Sequence, residues 1–285
     1  MKILIIGRGM VGDRVAKAWP DAVVAAQKIE TLEDARRVLA EHKPDVVLNA
    51  AGVTGKPNVD WCDISENRMK TVVGNAVLPI YLAQATSEAG VYLLHIGSGC
   101  IYYGDSAHPD KAWREHDFGN PLPTYSRSKW AADLVLSTLP HVGIARIRMP
   151  IDYTPGPANL IDKLARYPKV IDVENSVTIV DDMVQVFRQL LEKKATGIFH
   201  VTNPGTVKHR EIIAMYEELV DPAHTNEWIT AEQLVEEGLA TKLRSNNFLA
   251  SERLAEFDIA MRPANEALRD TMQKYAALKR GENKE

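Results

Sequence analysis

The chain has 285 residues, enough for one sizeable core with a smaller appendage but not for two large independent ones. Hydrophobic residues make up 45% and charged residues 25%, and a net charge of −4 excludes the basic excess of a nucleic-acid binder. Two cysteines, Cys62 and Cys100, exclude a disulfide framework; no apolar run is long enough to span a membrane, and no Cys-x-x-Cys or His-rich spacing reads as a metal site.

Taken in chain order, the β-branched run at 2–7 predicts a buried strand ending at Gly7, followed by helical spacing over 10–19. A second strand is predicted at 22–26, then a helix over 31–42 with Thr31 as its N-cap. A third strand at 44–52 runs into a glycine. A long helical segment covers 63–89, with Pro79 expected to bend it. Strand 91–98, helix 123–139 and strand 142–149 complete the first half. This alternation predicts an α/β fold of the Rossmann type, a doubly wound parallel sheet with helices on both faces. Beyond Pro150 comes a loop rich in proline and glycine, a short helix at 159–167, a strand stub and helix over 176–193, and a strand at 197–205. The expected organisation is a nucleotide-binding domain over 1–150, with 176–201 returning to it. Residues 151–175 and 202–285 then form a small, mostly helical substrate-binding cap.

The first turn reads Gly7-Arg8-Gly9-Met10-Val11-Gly12. Between a strand and a helix, this G-x-G-x-x-G spacing supplies a tight turn at Gly7, close approach to a pyrophosphate at Gly9 and close helix–strand packing at Gly12. The following helix N-terminus turns its partial positive charge toward the phosphates. At the end of the second strand, where an NAD site usually places a carboxylate, stand Ala26, Gln27 and Lys28. With Arg8 in the loop, the two cations favour NADP (as NADPH) and leave NAD possible.

Tyr125 and Lys129, four apart on a predicted helix, share one face. An ammonium beside a phenol is expected to lower its pKa, and the phenol can then give a proton to a carbonyl as hydride arrives. Ser98, at the C-terminal end of a strand where open α/β sheets place ligands, can hydrogen-bond the same carbonyl. His95, inside that strand, reads as a core histidine.

Together with "NAAG" (49–52), Asn75 and "IVDDM" (179–183), these features resemble the extended short-chain dehydrogenase/reductases, although the glycine loop is one residue shorter than usual there. The resemblance implies that Asn49, Ala50, Ala51 and Gly52 line the cofactor, along with Gly7, Arg8, Gly9, Met10, Val11, Gly12, Lys28, Tyr125 and Lys129. More specific blocks, "GKPNVDWCD" (55–63), "GSGCIYYGDSAHP" (97–109), "RIRMPI" (146–151), "SVTIVDD" (176–182), "TNPGTVKHREI" (202–212) and "RSNN" (244–247), resemble the bifunctional 3,5-epimerase/4-keto reductases that make nucleotide-linked L-rhamnose. The resemblance implies a nucleotide-4-keto-6-deoxy sugar as substrate, UDP favoured over dTDP. It also implies a homodimer held by the helices around 63–89 and 123–139, while the short apolar start and the lack of a span-length run predict a cytoplasmic protein.

In such a substrate the hydrogens on C3 and C5 are α to the carbonyl. Cys100 is the expected base, since a thiol titrates near neutrality, and Tyr125 and Ser98 are the expected oxyanion site. Lys163, Arg166 and Lys169 are candidate acids for the opposite face; the resemblance favours Lys163. Asn203, Arg244, Asn246 and Asn247 are expected to bind the substrate, Arg244 through a fork onto the diphosphate. Ser98 is followed by Gly99 and Cys100, not by the Asp-Glu pair of the related dehydratases. A 4-keto reductase acting after a separate epimerase, and an idle NADP-binding regulatory subunit, are the competing readings.

Overall fold

The computed structural model describes residues 1–281. Six strands form one sheet: β1 (Ile3–Ile6), β2 (Val23–Val24), β3 (Val46–Asn49), β4 (Tyr92–Ser98), β5 (Val142–Ile147) and β6 (Gly197–Val201). Every pairing is parallel and the order is β2-β1-β3-β4-β5-β6. The order reverses between β1 and β3, the switch point at which such sheets take ligands.

The strands are continuous apolar runs because both faces are covered. Ile3, Ile5, Val46, Leu48 and Leu94 pack one way, against Val15 of α1 (Met10–Ala18) and Val184, Phe187 and Leu191 of α7 (Val180–Lys193). Leu4, Ile6, Val47 and Leu93 pack the other way. There they meet Val38 and Leu39 of α2 (Leu32–His42), Leu82 of α4 (Leu78–Ala89), and Ala132 and Leu136 of α5 (Thr124–Leu136). Thr31 caps α2 as expected, its hydroxyl accepting from the Asp34 N–H at 3.1 Å.

The segment 63–89 is not one plain helix. A 3₁₀ turn (Val59–Asp63) leads to α3 (Ser65–Val72), and a π turn (Val73–Val77) joins α3 to α4. The disturbance precedes Pro79 instead of bending the helix at it. Pro79 has no N–H for the Asn75 carbonyl four residues back, and the wider turn absorbs the mismatch. The turn frees the Asn75 side chain, which accepts from the Val53 N–H at 2.7 Å and donates to the Val53 carbonyl at 2.9 Å.

The cap has its own core, with Ile161 and Leu164 of α6 (Leu160–Arg166), Ile212 of α8 (His209–Leu219) and Leu268, Met272 and Tyr275 of the last helix (Ala264–Arg280). It is less purely helical than its sequence predicts. Two-residue and three-residue strands pair Pro150–Ile151 with Thr178–Ile179, Glu174–Asn175 with Val207–Lys208, and Lys169–Ile171 with Glu227–Ile229. Nor do residues 202–285 belong wholly to it: Leu254, Phe257 and Ile259 pack on the sheet-face core beside Phe199. Among the described residues no helix is long and apolar enough to cross a membrane.

Candidate active site

Register assembles the site. Ile6 lies opposite Asn49, Asn49 opposite His95, and Ser98 opposite Ile147. The residues that follow β1, β3, β4 and β5 therefore emerge along one edge of the sheet.

The three loop glycines have different neighbours. Gly7 has φ +107°, and a Cβ there would lie 2.5 Å from the Ala51 nitrogen. At Gly12 it would lie 2.2 Å from the Gly7 carbonyl oxygen, so helix and loop touch. At Gly9 it would meet nothing within 4 Å. Gly9 is the N-cap of α1 and brings no side chain to the first-turn N–H groups. This open floor, facing a helix N-terminus, fits a dinucleotide pyrophosphate. Gly12→Ala is expected to cost about 1–3 kcal/mol in a denaturant melt through overpacking. Gly9→Ala should melt like the wild type yet bind nicotinamide dinucleotide roughly tenfold or more weakly by calorimetry, because its methyl projects into the phosphate space.

Asn49 is buried, donating to His95 Nδ1 at 3.0 Å and accepting from the Ala51 N–H at 3.1 Å. It shapes the Ala50–Ala51–Gly52 turn from below. Arg8 is exposed, and Lys28 is exposed and paired with Glu30 at 2.5 Å. Gln27 donates to Glu41 at 2.9 Å, so no carboxylate of its own stands at the end of β2.

Lys129 is buried on α5, its Nζ donating to the Ile96 carbonyl at 3.0 Å. A Cβ built on Gly52 would sit 3.3 Å from that nitrogen, which places the amine against the β3 turn. Burial lowers its pKa to about 8, opposed by the negative field of Asp133. Asp133 is itself paired with fully buried Arg146 at 2.7 Å, an anchored wall behind the lysine that the sequence reading did not find. Tyr125 departs from expectation. Burial pushes its phenol upward, the neighbouring Cys100 pushes the same way, and a hydrogen bond with Ser98 pulls it down. The Lys129 amine is turned to the Ile96 carbonyl, and the leading causes of the phenol's shift are burial, Cys100 and Ser98. The phenol is thus held protonated, not ionised.

Ser98 ends β4 and accepts from the Cys100 N–H at 3.2 Å, closing a one-turn 3₁₀ helix (Gly99–Ile101) that presents the cysteine. Cys100 is partly exposed, and Arg148 Nη1 donates to its sulfur at 3.0 Å. Serine, phenol and thiol thus converge. Cys62 is buried, its thiol pushed up by burial, and its field also acts on the Tyr125 phenol.

The cap residues divide. Lys163 on α6 is partly buried, and burial with the nearby Arg166 lowers its pKa. Lys169 is taken by Glu227 and Glu237, at 3.2 and 2.7 Å. Four expected substrate ligands are engaged by the chain itself. Asn203 is buried and spends both its N–H groups, on Asp182 at 2.7 Å and the Arg262 carbonyl at 3.0 Å, while its oxygen caps Ile179. Asn247 is buried and donates to the Gly99 and Tyr102 carbonyls at 3.1 and 2.7 Å. Asn246 accepts from Asn175 at 3.1 Å. Arg244 forms its fork with Asp60, at 2.6 and 2.8 Å, not with an open anion site. Of these, Asn247 lies directly against the cysteine turn.

A six-stranded parallel sheet with a glycine loop at its switch point, and Ser98, Tyr125 and Lys129 beside it, is the frame of a Rossmann-type reductase. The sequence matches the family of the RmlD substrate binding domain over residues 1–277, and the chain belongs to that family. It is 38% identical over 232 residues to a bifunctional dTDP-4-dehydrorhamnose 3,5-epimerase/dTDP-4-dehydrorhamnose reductase of Arabidopsis thaliana, covering 78% of this chain and 75% of the relative. A trifunctional UDP-glucose 4,6-dehydratase/UDP-4-keto-6-deoxy-D-glucose 3,5-epimerase/UDP-4-keto-L-rhamnose-reductase of the same plant is 31% identical, over 97% of this chain but only 42% of that protein. The solved UDP-rhamnose synthase of Acanthamoeba polyphaga mimivirus superposes with a TM-score of 0.89 at 29% identity, over 96% of this chain and 99% of that one. A Bacillus anthracis dTDP-4-dehydrorhamnose reductase in complex with NADP shares the fold, with a TM-score of 0.80 at 20% identity, over 95% and 98% of the two chains.

Proposed function

We propose that the protein epimerises C3 and C5 of a nucleotide-linked 4-keto-6-deoxyglucose, UDP preferred over dTDP, and reduces C4 with NADPH to give the L-rhamnose nucleotide. The observation that carries this reading is the convergence of a thiol on a reductase's serine and phenol: Cys100 bonds Ser98 through its N–H, and its charge acts on Tyr125. A reductase alone has no use for a base there.

The chemistry divides between the residues as follows. Ser98 and Tyr125 hydrogen-bond O4. The Cys100 thiolate takes the proton from C5 or C3, and the electron pair moves onto O4 as an enolate, which the same two hydroxyls stabilise. Lys163, its ammonium made more acidic by burial and Arg166, returns a proton from the opposite face. NADPH, when bound, would supply the hydride to C4. Tyr125, still protonated, gives its proton to O4. Glycines 7, 9 and 12 seat the pyrophosphate, and Arg8 and Lys28 are the cations for a 2′-phosphate.

Product analysis in D2O tests the reading. Deuterium at both C3 and C5 with NADPH consumption is expected; reduction without exchange would leave the simpler 4-keto reductase. The pH dependence follows from Lys129. Its amine is charged below about 8 and neutral above, so kcat/KM for reduction should fall as pH rises through that value, well before an ordinary lysine would titrate. A profile flat to pH 10 would remove Lys129, whose amine lies against the Gly52 turn, from a role in holding the cofactor. Exposed Ile64, Met69 and Val73 around α3 and Leu134 and Val135 on α5 support a homodimer through these helices; light scattering gives its mass.

A further inference from the structure

Arg148 directly follows β5 and is buried. Its backbone is pinned on both sides by Thr178, whose hydroxyl accepts the Arg148 N–H at 2.9 Å and whose N–H donates to the Arg148 carbonyl at 2.7 Å. One amino group donates to the Cys100 sulfur at 3.0 Å. The other donates to the Asn175 side chain and the Ser245 carbonyl, and Nε is buried without a partner. Among the described residues no carboxylate pairs with this guanidinium. A buried cation held only by neutral oxygens is costly. Its one ionisable hydrogen-bond partner is the sulfur.

From this charge balance and geometry we propose that Arg148 is the positioning residue of the epimerase half-reaction. It aims the Cys100 sulfur at the ring hydrogen and balances the sulfur's negative charge while the thiol is deprotonated. Gly99 makes room for this: a Cβ there would lie 3.3 Å from Arg148 Cδ and 2.5 Å from Leu249. The cap completes the clamp. Asn175, which holds the guanidinium, also accepts from the Asn247 N–H at 3.1 Å and donates to Asn246. Segments 174–175 and 245–247 of the cap therefore fix the arginine that fixes the sulfur. Ser245, Asn246 and Asn247 of the "RSNN" stretch thereby have a role in the proton chemistry.

The inference rests on the epimerase reading, and three measurements separate the two. Wash-in of deuterium at C3 and C5 and reduction of pre-epimerised 4-keto-rhamnose nucleotide are followed on the same preparations. The rate of iodoacetamide alkylation of the Cys100 peptide is followed by mass spectrometry. Arg148→Gln should lower the ratio of exchange to reduction roughly 30-fold or more and slow Cys100 alkylation roughly tenfold. Arg148→Lys, which keeps charge but loses the fork, should fall between Gln and wild type on both readouts. A fold defect would lower exchange and reduction together and leave their ratio unmoved. Arg148→Gln with the wild-type ratio overturns the proposal; if that variant does not fold, a wild-type ratio and alkylation rate in Arg148→Lys overturn it. Wild-type protein that reduces without exchanging fails the epimerase reading instead, and the alkylation contrast still decides whether Arg148 governs the sulfur.

Discussion

Tyr125→Phe is expected to lower kcat for ketone reduction roughly 10³-fold, as followed by NADPH consumption with pre-epimerised substrate. The phenol sits where burial and the adjacent Cys100 both oppose ionisation, so it carries its proton at neutral pH. A hydroxyl in that state is a proton donor to O4 and not a base. Ser98 can hydrogen-bond the same oxygen, but an aliphatic hydroxyl is too weak an acid to replace the phenol as hydride arrives. About 4 kcal/mol of transition-state stabilisation is assigned to this one proton. Removing the hydroxyl from this half-buried ring leaves the packing of α5 in place, so the variant should melt close to wild type. Retention of more than about a tenth of the reductase rate would move the acid to another group.

How much of this was legible in the sequence depends on how far apart the partners lie. The alternating strands and helices show as local periodicity, and the glycine loop shows because its three glycines serve contacts within a single turn. Tyr125 and Lys129 show as an i, i+4 pair. Their electrostatics do not, because burial leads the phenol's shift and the amine turns to the Ile96 carbonyl. Polar residues of the cap show their internal partners only in the fold, for a related reason. Asn247 looks the same in sequence whether it faces a sugar or, as here, backbone carbonyls 148 and 145 residues upstream. Arg244 carried the right fork for an anion, but its anion is Asp60 in the 3₁₀ turn before α3. Arg148 lay within the block "RIRMPI" without a role, since the sulfur that gives it one is 48 residues earlier. Only the register of β4 against β5 joins them.

Cys100→Ala should abolish deuterium exchange at C3 and C5, by roughly 10³-fold or more, while reduction of pre-epimerised substrate remains measurable. The two half-reactions share O4 and its two hydroxyls, so the alanine variant keeps the oxyanion site and loses only the atom that receives the carbon-bound proton. It should also lose stability. Arg148 Nη1, buried and already without a carboxylate, would be left with no acceptor in place of the sulfur, at a cost of about 1–3 kcal/mol. Cys100→Ser separates these effects. A hydroxyl restores an acceptor for the guanidinium, so the melting temperature should recover toward wild type. Exchange should not recover, because a serine hydroxyl holds its proton far too tightly to act as base at neutral pH. If the serine variant exchanged at the wild-type rate, the sulfur would be a packing atom and the base would have to be sought among the cap residues, with Lys163 first.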